Sequence, residues 1–329
     1  NPLPYSSAFH FFVVTLPMYY MQNTPLGYDK DEIIITNMNN NIRKSRDAFA
    51  SQVKSFSGIE EVTYAEMLLS SQDQYMGWGR KYRDKDIQFQ CLPVEPSFLK
   101  VMNVKISEGR DFREEDKAKR YGTFVFNERA RTEYGLEIGS LIDSMEIVGF
   151  MPDVKFASFR TEVTPMAFFV WGTNNWGNQP NYAYIKVKAG SDLRGAMQHV
   201  KTTLQSFDPE YPFNVRFFDE VFNGLYEKER SLSSLITLFS LIAIFISVVG
   251  VFGLVVFDSE YRKKEIGIRK VLGSTTEEII VMFNKTYIRI LCVCFVLGAP
   301  IAGYVVHRWL ENFAYKTPMY WWVYLIAFA

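Results

Sequence analysis

RKKEIGIRKVLGSTTEE, residues Arg262–Glu278, is separated by four residues from Leu232–Phe257, a run of 26 residues with no charged side chain. On the order of 20 apolar residues suffice to cross a bilayer, so the run is predicted to span one. A buried helix of a soluble protein seldom extends so far without a polar face. The quoted stretch is a different kind of object. A helix over Arg262–Val271 puts Glu265 and Arg269 four residues apart, in the favoured orientation for an ion pair. Ile268, Val271 and Leu272 give that helix an apolar face, with Ile266 beside Lys270. Gly273 is placed to end it in a left-handed cap. Ser274 or Thr275 can then cap a following helix over Glu277 and Glu278.

Further apolar segments lie on both sides. Ile290–Val306 is shorter, with Arg289 at its start, and Pro300 is expected to bend it. Tyr320–Ala329 opens with YWWVYL and is too short to span, so the chain is expected to be part of something longer. Residues 5–20 are apolar but broken by Pro17, which suggests the outer end of another spanning helix within 1–22. A signal peptide is disfavoured, because no basic start precedes them. Ser247, Gly250 and Gly253 form a small-residue stripe, and together with Pro300 they are the predicted helix-packing positions in the membrane.

Charge placement orients the segments. Residues 258–289 hold seven Lys/Arg, while 307–319 hold only Arg308 and Lys316. The first loop is therefore predicted cytoplasmic, and both the second loop and the body 21–230 lie outside. Phe313, Tyr315, Tyr320, Trp321, Trp322 and Tyr324 would belt the outer interface. Lys+Arg and Asp+Glu balance at 36 each, which gives no field for nucleic acid. The balance hides a split: residues 21–230 carry 27 basic and 30 acidic groups, residues 231–329 only 9 and 6.

The outer body reads as two similar units. Glu32–Thr36 (EIIIT) is a strand, followed by a helical pattern with Ile42, Phe49, Val53 and Phe56 on one face, then a strand near Val62–Ala65. Tyr182–Val187 (YAYIKV) alternates as a strand. Ser191 is the expected N-cap of a helix whose Leu193, Met197, Val200 and Leu204 share a face, and a strand follows at Asn214–Phe218. Two strand–helix–strand units about 115 residues apart suggest one α+β layer with helices on a sheet. Between them, 67–180 reads as an inserted lobe of short strands and turns.

Nothing in the chain assembles a catalytic site. There is no GxxxxGK[ST] or HExxH, and the three histidines (His10, His199, His307) are scattered. The acidic run GRDFREED at 109–116 reads as a solvated loop. Cys292 and Cys294 lack partners for a metal and read as packing residues, with Cys91 alone in the outer body.

At EIGIRKVLGS, 265–274, the sequence resembles permeases of the MacB/FtsX type, the mechanotransmitting or type VII ABC transporters. Further resemblances run along the chain in order: LGYDKDEIIIT (26–36), VEPSFLKVMNVKISEGRDF (94–112), IVGFMPDVKFASFRTEVTPMAFF (147–169) and WLENFAYKTPMYWWVY (309–324). The resemblance implies an α+β periplasmic core over 23–228, porter-like with an inserted β-rich lobe. This core would be joined to an all-α transmembrane bundle over 229–329. Within that bundle, spanning helices are expected at 231–257 and 284–306, a coupling helix within 258–278, an outer loop at 307–319 and a partial helix at 320–329.

The implied role is a permease subunit for efflux in the bacterial inner membrane. It would be no enzyme and hold no cofactor, with ATP bound by a separate ABC ATPase subunit. Glu265, Ile266, Gly267, Arg269, Lys270, Leu272 and Gly273 are the implied ATPase-facing set. A second permease copy or half, a periplasmic adaptor or outer-membrane channel, and membrane lipid are the other implied partners. The alternative role is an FtsX-like transducer that activates a periplasmic cell-wall hydrolase. A complete unit of this type has four spanning helices, and this chain departs from it with two complete and two partial ones. Permeases that it resembles often carry two such units, of which this chain could be the second half.

Overall fold

The computed structural model describes residues 27–29, 31–70, 76–154, 163–174, 179–224 and 227–310. The expected partial helices at 1–22 and 320–329, and most of the loop 307–319, lie outside them. The chain divides into two units, one spanning Pro25–Glu227 and the other containing the long helices from Lys228 onward.

In the first unit, β1 (Ile33–Asn37) is followed by α1 (Asn40–Lys44), α2 (Arg46–Lys54) and β2 (Ile59–Ala65). Far along the chain, β10 (Tyr182–Val187), α5 (Leu193–Phe207) and β11 (Arg216–Phe217) repeat the pattern. Their four strands form one sheet in the order β11-β1-β10-β2, with antiparallel neighbours throughout. Each strand–helix–strand unit thus straddles a strand of the other, the interlocked arrangement of a ferredoxin-like layer. Phe49, Val53, Val200 and Leu204 on the helices close over Ile34, Val62 and Ile185. Full burial of each such side chain contributes about 1.5–3 kcal/mol. Ile33 and Ile35 are buried as well. Both faces of β1 are therefore covered, which explains its unbroken isoleucine run.

Several local expectations shift. The single helix predicted after β1 is broken at Ser45, where the backbone leaves the helical region. Asp192, not Ser191, caps α5, its carboxylate accepting the Gly195 N–H at 3.0 Å. Leu193 sits in the first turn and is exposed, and Ala196 takes its place on the buried face. The last strand covers two residues, because Phe218 already opens α6 (Phe218–Gly224).

Inserted between β2 and β10 is a second sheet: β3 (Met76–Tyr82), β4 (Lys85–Pro93), β5 (Glu108–Gly109), β6 (Thr123–Asn127), β7 (Leu141–Ile142), β8 (Met145–Met151) and β9 (Met166–Val170). Its order is β3-β4-β9-β6-β8-β5, with β7 also on β8. β4 with β9 and β6 with β8 run parallel, so this is a mixed sheet rather than a meander of hairpins. Arg80 on β3 reaches Asp143 in the β7–β8 turn at 3.5 Å, and the sheet packs an aromatic core. There Phe124 lies 4.7 Å from Phe169, and Phe89 4.9 Å from Phe126, between ring centres. The short helix α4 (Glu128–Tyr134) starts from the Asn127 side chain, which accepts the Ala130 N–H at 3.1 Å. Gly109, at φ +83, is required where β5 meets β8: a Cβ there would stand 2.5 Å from the Val148 carbonyl.

The two sheets of this unit meet at a seam. Ala65 and Val94 form an antiparallel bridge, and Phe98 of α3 (Phe98–Val101) lies 5.0 Å from Tyr184 and 5.6 Å from Phe168. The Tyr184 hydroxyl accepts the Leu69 N–H at 2.7 Å and donates to the Met67 carbonyl at 3.2 Å. At the rim, Glu95 holds Arg46 at 2.6 Å and Lys117 at 2.9 Å.

In the second unit, α7 (Glu227–Tyr261), α8 (Lys263–Val271) and α9 (Thr276–Leu310) follow one another. Among the described residues, one stretch, Thr237–Tyr261 of α7, is long and apolar enough to cross a membrane. Its large apolar side chains, Phe245 and Phe252 among them, face outward. The run expected at 284–306 falls inside α9, which continues through Pro300 without interruption. Of the expected all-α transmembrane bundle, the described residues contain α7, α8 and α9.

Candidate functional site

The site is the short helix between two long ones. α7 lacks charge from Leu232 to Phe257, and its helical pattern carries on through Tyr261. Arg262 then stands alone between α7 and α8, its guanidinium 3.0 Å from the Asp258 carboxylate one turn back. Lys263 pairs with Glu260 at 3.3 Å. These exposed pairs hold the charged head of the segment next to the apolar run, each at a gain of only a few tenths of a kcal/mol.

On α8, Arg269 donates to Glu265 at 2.9 and 3.2 Å. Glu265, Ile268, Arg269 and Leu272 occupy one face by their three- and four-residue spacing. Ile268 is 62% exposed, Leu272 79% and Val271 88%, so the apolar part of that face is bare in the chain alone. A helix of nine residues with no buried side chain does not hold itself together by burial. Its face is available to a partner.

The C-terminal end of α8 is closed with unusual completeness. Gly273 adopts φ +94, the Ser274 N–H donates to the Arg269 carbonyl at 3.0 Å and the Gly273 N–H to the Lys270 carbonyl at 3.2 Å. This is a Schellman cap. Two residues later Thr275 starts α9 with a reciprocal box. Its Oγ1 accepts the Glu278 N–H at 3.3 Å, and the Glu278 carboxylate accepts the Thr275 N–H at 3.0 Å. Thr275, of the two candidates, is therefore the cap.

The other predicted positions spread out. Ile266 is partly covered; Gly267 and Lys270 are exposed, with open space where a Gly267 Cβ would stand. Ser247, Gly250 and Gly253 lie on α7, and a Cβ on either glycine would meet nothing within 4 Å. Pro300 is exposed on α9. Ile268 and Val271 were absent from the implied ATPase-facing set, although their spacing from Leu272 already marked them as one apolar face.

The outer unit holds a second polar cluster, and here the sequence reading fails. The run GRDFREED is not a solvated loop throughout, because Asp116 is 1% exposed. Arg110 grips it through two bonds of 2.8 Å, the Arg113 N–H donates at 2.8 Å, and Lys119 lies at 3.2 Å while also reaching Glu146 at 2.7 Å. Burial pushes the Asp116 carboxyl up, but these donors more than offset it and hold the group below the ordinary aspartate range. With each oxygen engaged, the cluster is a clasp on the fold. Cys91 is buried in the aromatic core, and burial pushes its thiol up. His199 stacks on Phe56 at 5.5 Å, with Nε2 3.0 Å from the Gln52 carbonyl oxygen. Among the described residues no group of three or more His, Cys, Asp or Glu gathers to hold a metal.

Comparison with known proteins places both units. Residues 18–203, more than half of the chain, match the MacB-like periplasmic core domain, and residues 237–329 match the FtsX-like permease C-terminal family. The macrolide export ATP-binding/permease protein MacB of Chromobacterium violaceum is 23% identical over 230 residues, covering 67% of this chain and 35% of that protein. The protein of the same name from Escherichia coli K12 is 22% identical over 233 residues, with the same coverage. The chain thus spans about a third of the length of these curated relatives. Among solved structures, the periplasmic region of MacB from Actinobacillus actinomycetemcomitans is similar at TM-score 0.43 and 13% identity, over 61% of this chain and 95% of that one. The extracellular domain of the transporter YknZ from Gram-positive bacteria gives TM-score 0.40 at 11% identity, over 56% and 99%. By its two family matches, the chain belongs to the FtsX-like permeases that carry a MacB-like periplasmic core domain.

Proposed function

We propose that the chain is a transmembrane permease subunit of an ABC transporter, seated in the bacterial inner membrane with the 25–227 unit in the periplasm. A separate ATPase subunit binds and hydrolyses ATP. Its movement is passed through α8 to the membrane helices and then to the periplasmic unit, for extrusion of a substrate. The permease itself carries out no chemistry and needs no cofactor. The observation that carries this reading is the bare Ile268–Val271–Leu272 face, flanked by the Glu265–Arg269 pair, between a helix fit to cross a membrane and a capped one. An apolar face with a charged rim is the composition of a protein-docking surface.

The assignment is tested by isolating the full-length permease from its native membranes. A co-purifying protein with a GxxxxGK[ST] phosphate loop, whose ATP hydrolysis rises in the presence of the permease, is the expected result. Its absence contradicts the assignment. The 25–227 unit, which has its own cores, then serves as bait to separate two uses of the movement. An adaptor or outer-membrane channel as partner supports export. A cell-wall hydrolase supports the FtsX-like regulatory role instead.

A further inference from the structure

The joint between α8 and α9 is built differently from the joint between α7 and α8. At the first joint, the Arg262 N–H donates to the Asp258 carbonyl and the Ile266 N–H to the Arg262 carbonyl, each at 3.0 Å, so the helical pattern runs nearly through. At the second, the backbone turns left-handed at Gly273: the Leu272, Gly273 and Ser274 N–H groups bond back into the end of α8, and the Thr275–Glu278 pair and the Ile279 N–H open α9. A Cβ on Gly273 would meet no atom within 4 Å among the described residues. The glycine is therefore demanded by backbone conformation and not by crowding.

Glycine alone makes a soft joint. Stiffness at Leu272–Thr275 has to come from the caps, which tie down both sides of the turn within four residues. We infer that Gly273, Thr275 and Glu278 form a rigid elbow that sets the direction in which a displacement of α8 reaches α9. Gly273, which the resemblance put in the ATPase-facing set, is reassigned here to a positioning role with Thr275 and Glu278, and none of the three has to touch the ATPase. The inference rests on the reading of α8 as the ATPase-docking helix.

The test uses the full-length permease with its phosphate-loop ATPase in lipid nanodiscs. Four variants are compared with the unmodified chain: Gly273→Val, Gly273→Asn, Thr275→Ser, and Thr275→Val combined with Glu278→Ala, since a glutamine there would still accept the Thr275 N–H. Three quantities are read: ATPase retained, stimulation of ATP hydrolysis, and the width of the distance distribution between spin labels at Lys264→Cys and Lys285→Cys, with Cys292 and Cys294 replaced by Ser. Gly273→Val and the double variant should retain the ATPase, broaden the label distribution and lose about tenfold in stimulation. Asn tolerates the left-handed conformation and Ser still caps, so both of those variants should stay within about twofold of the parent.

Full stimulation and an unchanged distribution in Gly273→Val overturn the elbow. Loss of ATPase retention in step with stimulation also overturns it, because the residues would then serve docking. A parent chain that neither retains nor stimulates the ATPase defeats the docking reading itself, and the label distributions still decide whether the joint is rigid.

Discussion

Arg269 lies one turn beyond Glu265 on α8, its Nη2 2.9 Å and its Nε 3.2 Å from the same carboxylate oxygen. The two side chains are 46% and 44% exposed, and such a pair on a helix surface adds about 0.3–0.5 kcal/mol. Its weight in stability is small. Its position is the informative part, since the pair borders Ile268 and Leu272 on the face left bare.

That face predicts how docking fails. Buried apolar anchors at the centre of an interface cost about 2–4 kcal/mol when truncated. Ile268→Ala with Leu272→Ala should therefore weaken retention of the ATPase at least tenfold, and titration of the ATPase onto nanodisc-held permease measures it. Truncation of Leu235 on α7, also exposed, serves as the comparison and should leave retention unchanged.

The Asp116 clasp predicts an acid limit to the periplasmic unit. Its carboxyl titrates lower in the fold than in the unfolded chain, so the stabilisation is fully present above about pH 4 and is lost as pH falls through the folded value. Asp116→Asn should cost about 2–3 kcal/mol at neutral pH, by leaving Arg110 without its charge partner, and should flatten the acid limb. Thermal melts of the 25–227 unit between pH 3 and 7 read both effects. Parallel pH curves for variant and parent would show that the clasp is not the source.

The seam predicts how far the two sheets unfold together. Tyr184→Phe strands the Leu69 N–H and should cost about 1–3 kcal/mol. Phe98→Ala removes a ring packed on both sheets and should cost about 3–5 kcal/mol. Each should shift one common denaturation transition, followed by tryptophan fluorescence for the aromatic lobe, which holds Trp78 and Trp171, and by far-ultraviolet dichroism for the whole. Separate transitions in the parent would show that the lobes fold independently.

What the sequence reveals here is local. EIIIT and YAYIKV show as strands because continuous or alternating apolar residues need only their own spacing to be read. The Gly273 stop and the Glu265–Arg269 pair are likewise set within one or two turns of helix. The misses are contacts at a distance or choices between neighbours. Nothing local shows that β4 pairs parallel with β9, more than seventy residues away, or that Lys119 beside Asp116 also reaches Glu146 on β8. Ser191 and Asp192 are both good caps, and backbone geometry alone selects Asp192. In the candidate site, Ile268 and Val271 had the right spacing, but only the fold shows that nothing in the described chain covers them.

Charge reversal at the opening pair bears most directly on the central claim. Stimulation of ATP hydrolysis by the full-length permease is compared among the parent, Glu265→Arg and Arg269→Glu, with the melting of the periplasmic unit as the control for folding. Both reversals should reduce stimulation about tenfold while leaving that melting transition within about 0.5 kcal/mol of the parent. Stimulation that persists unchanged in both variants would contradict the assignment of α8 as the helix that couples the ATPase to the membrane.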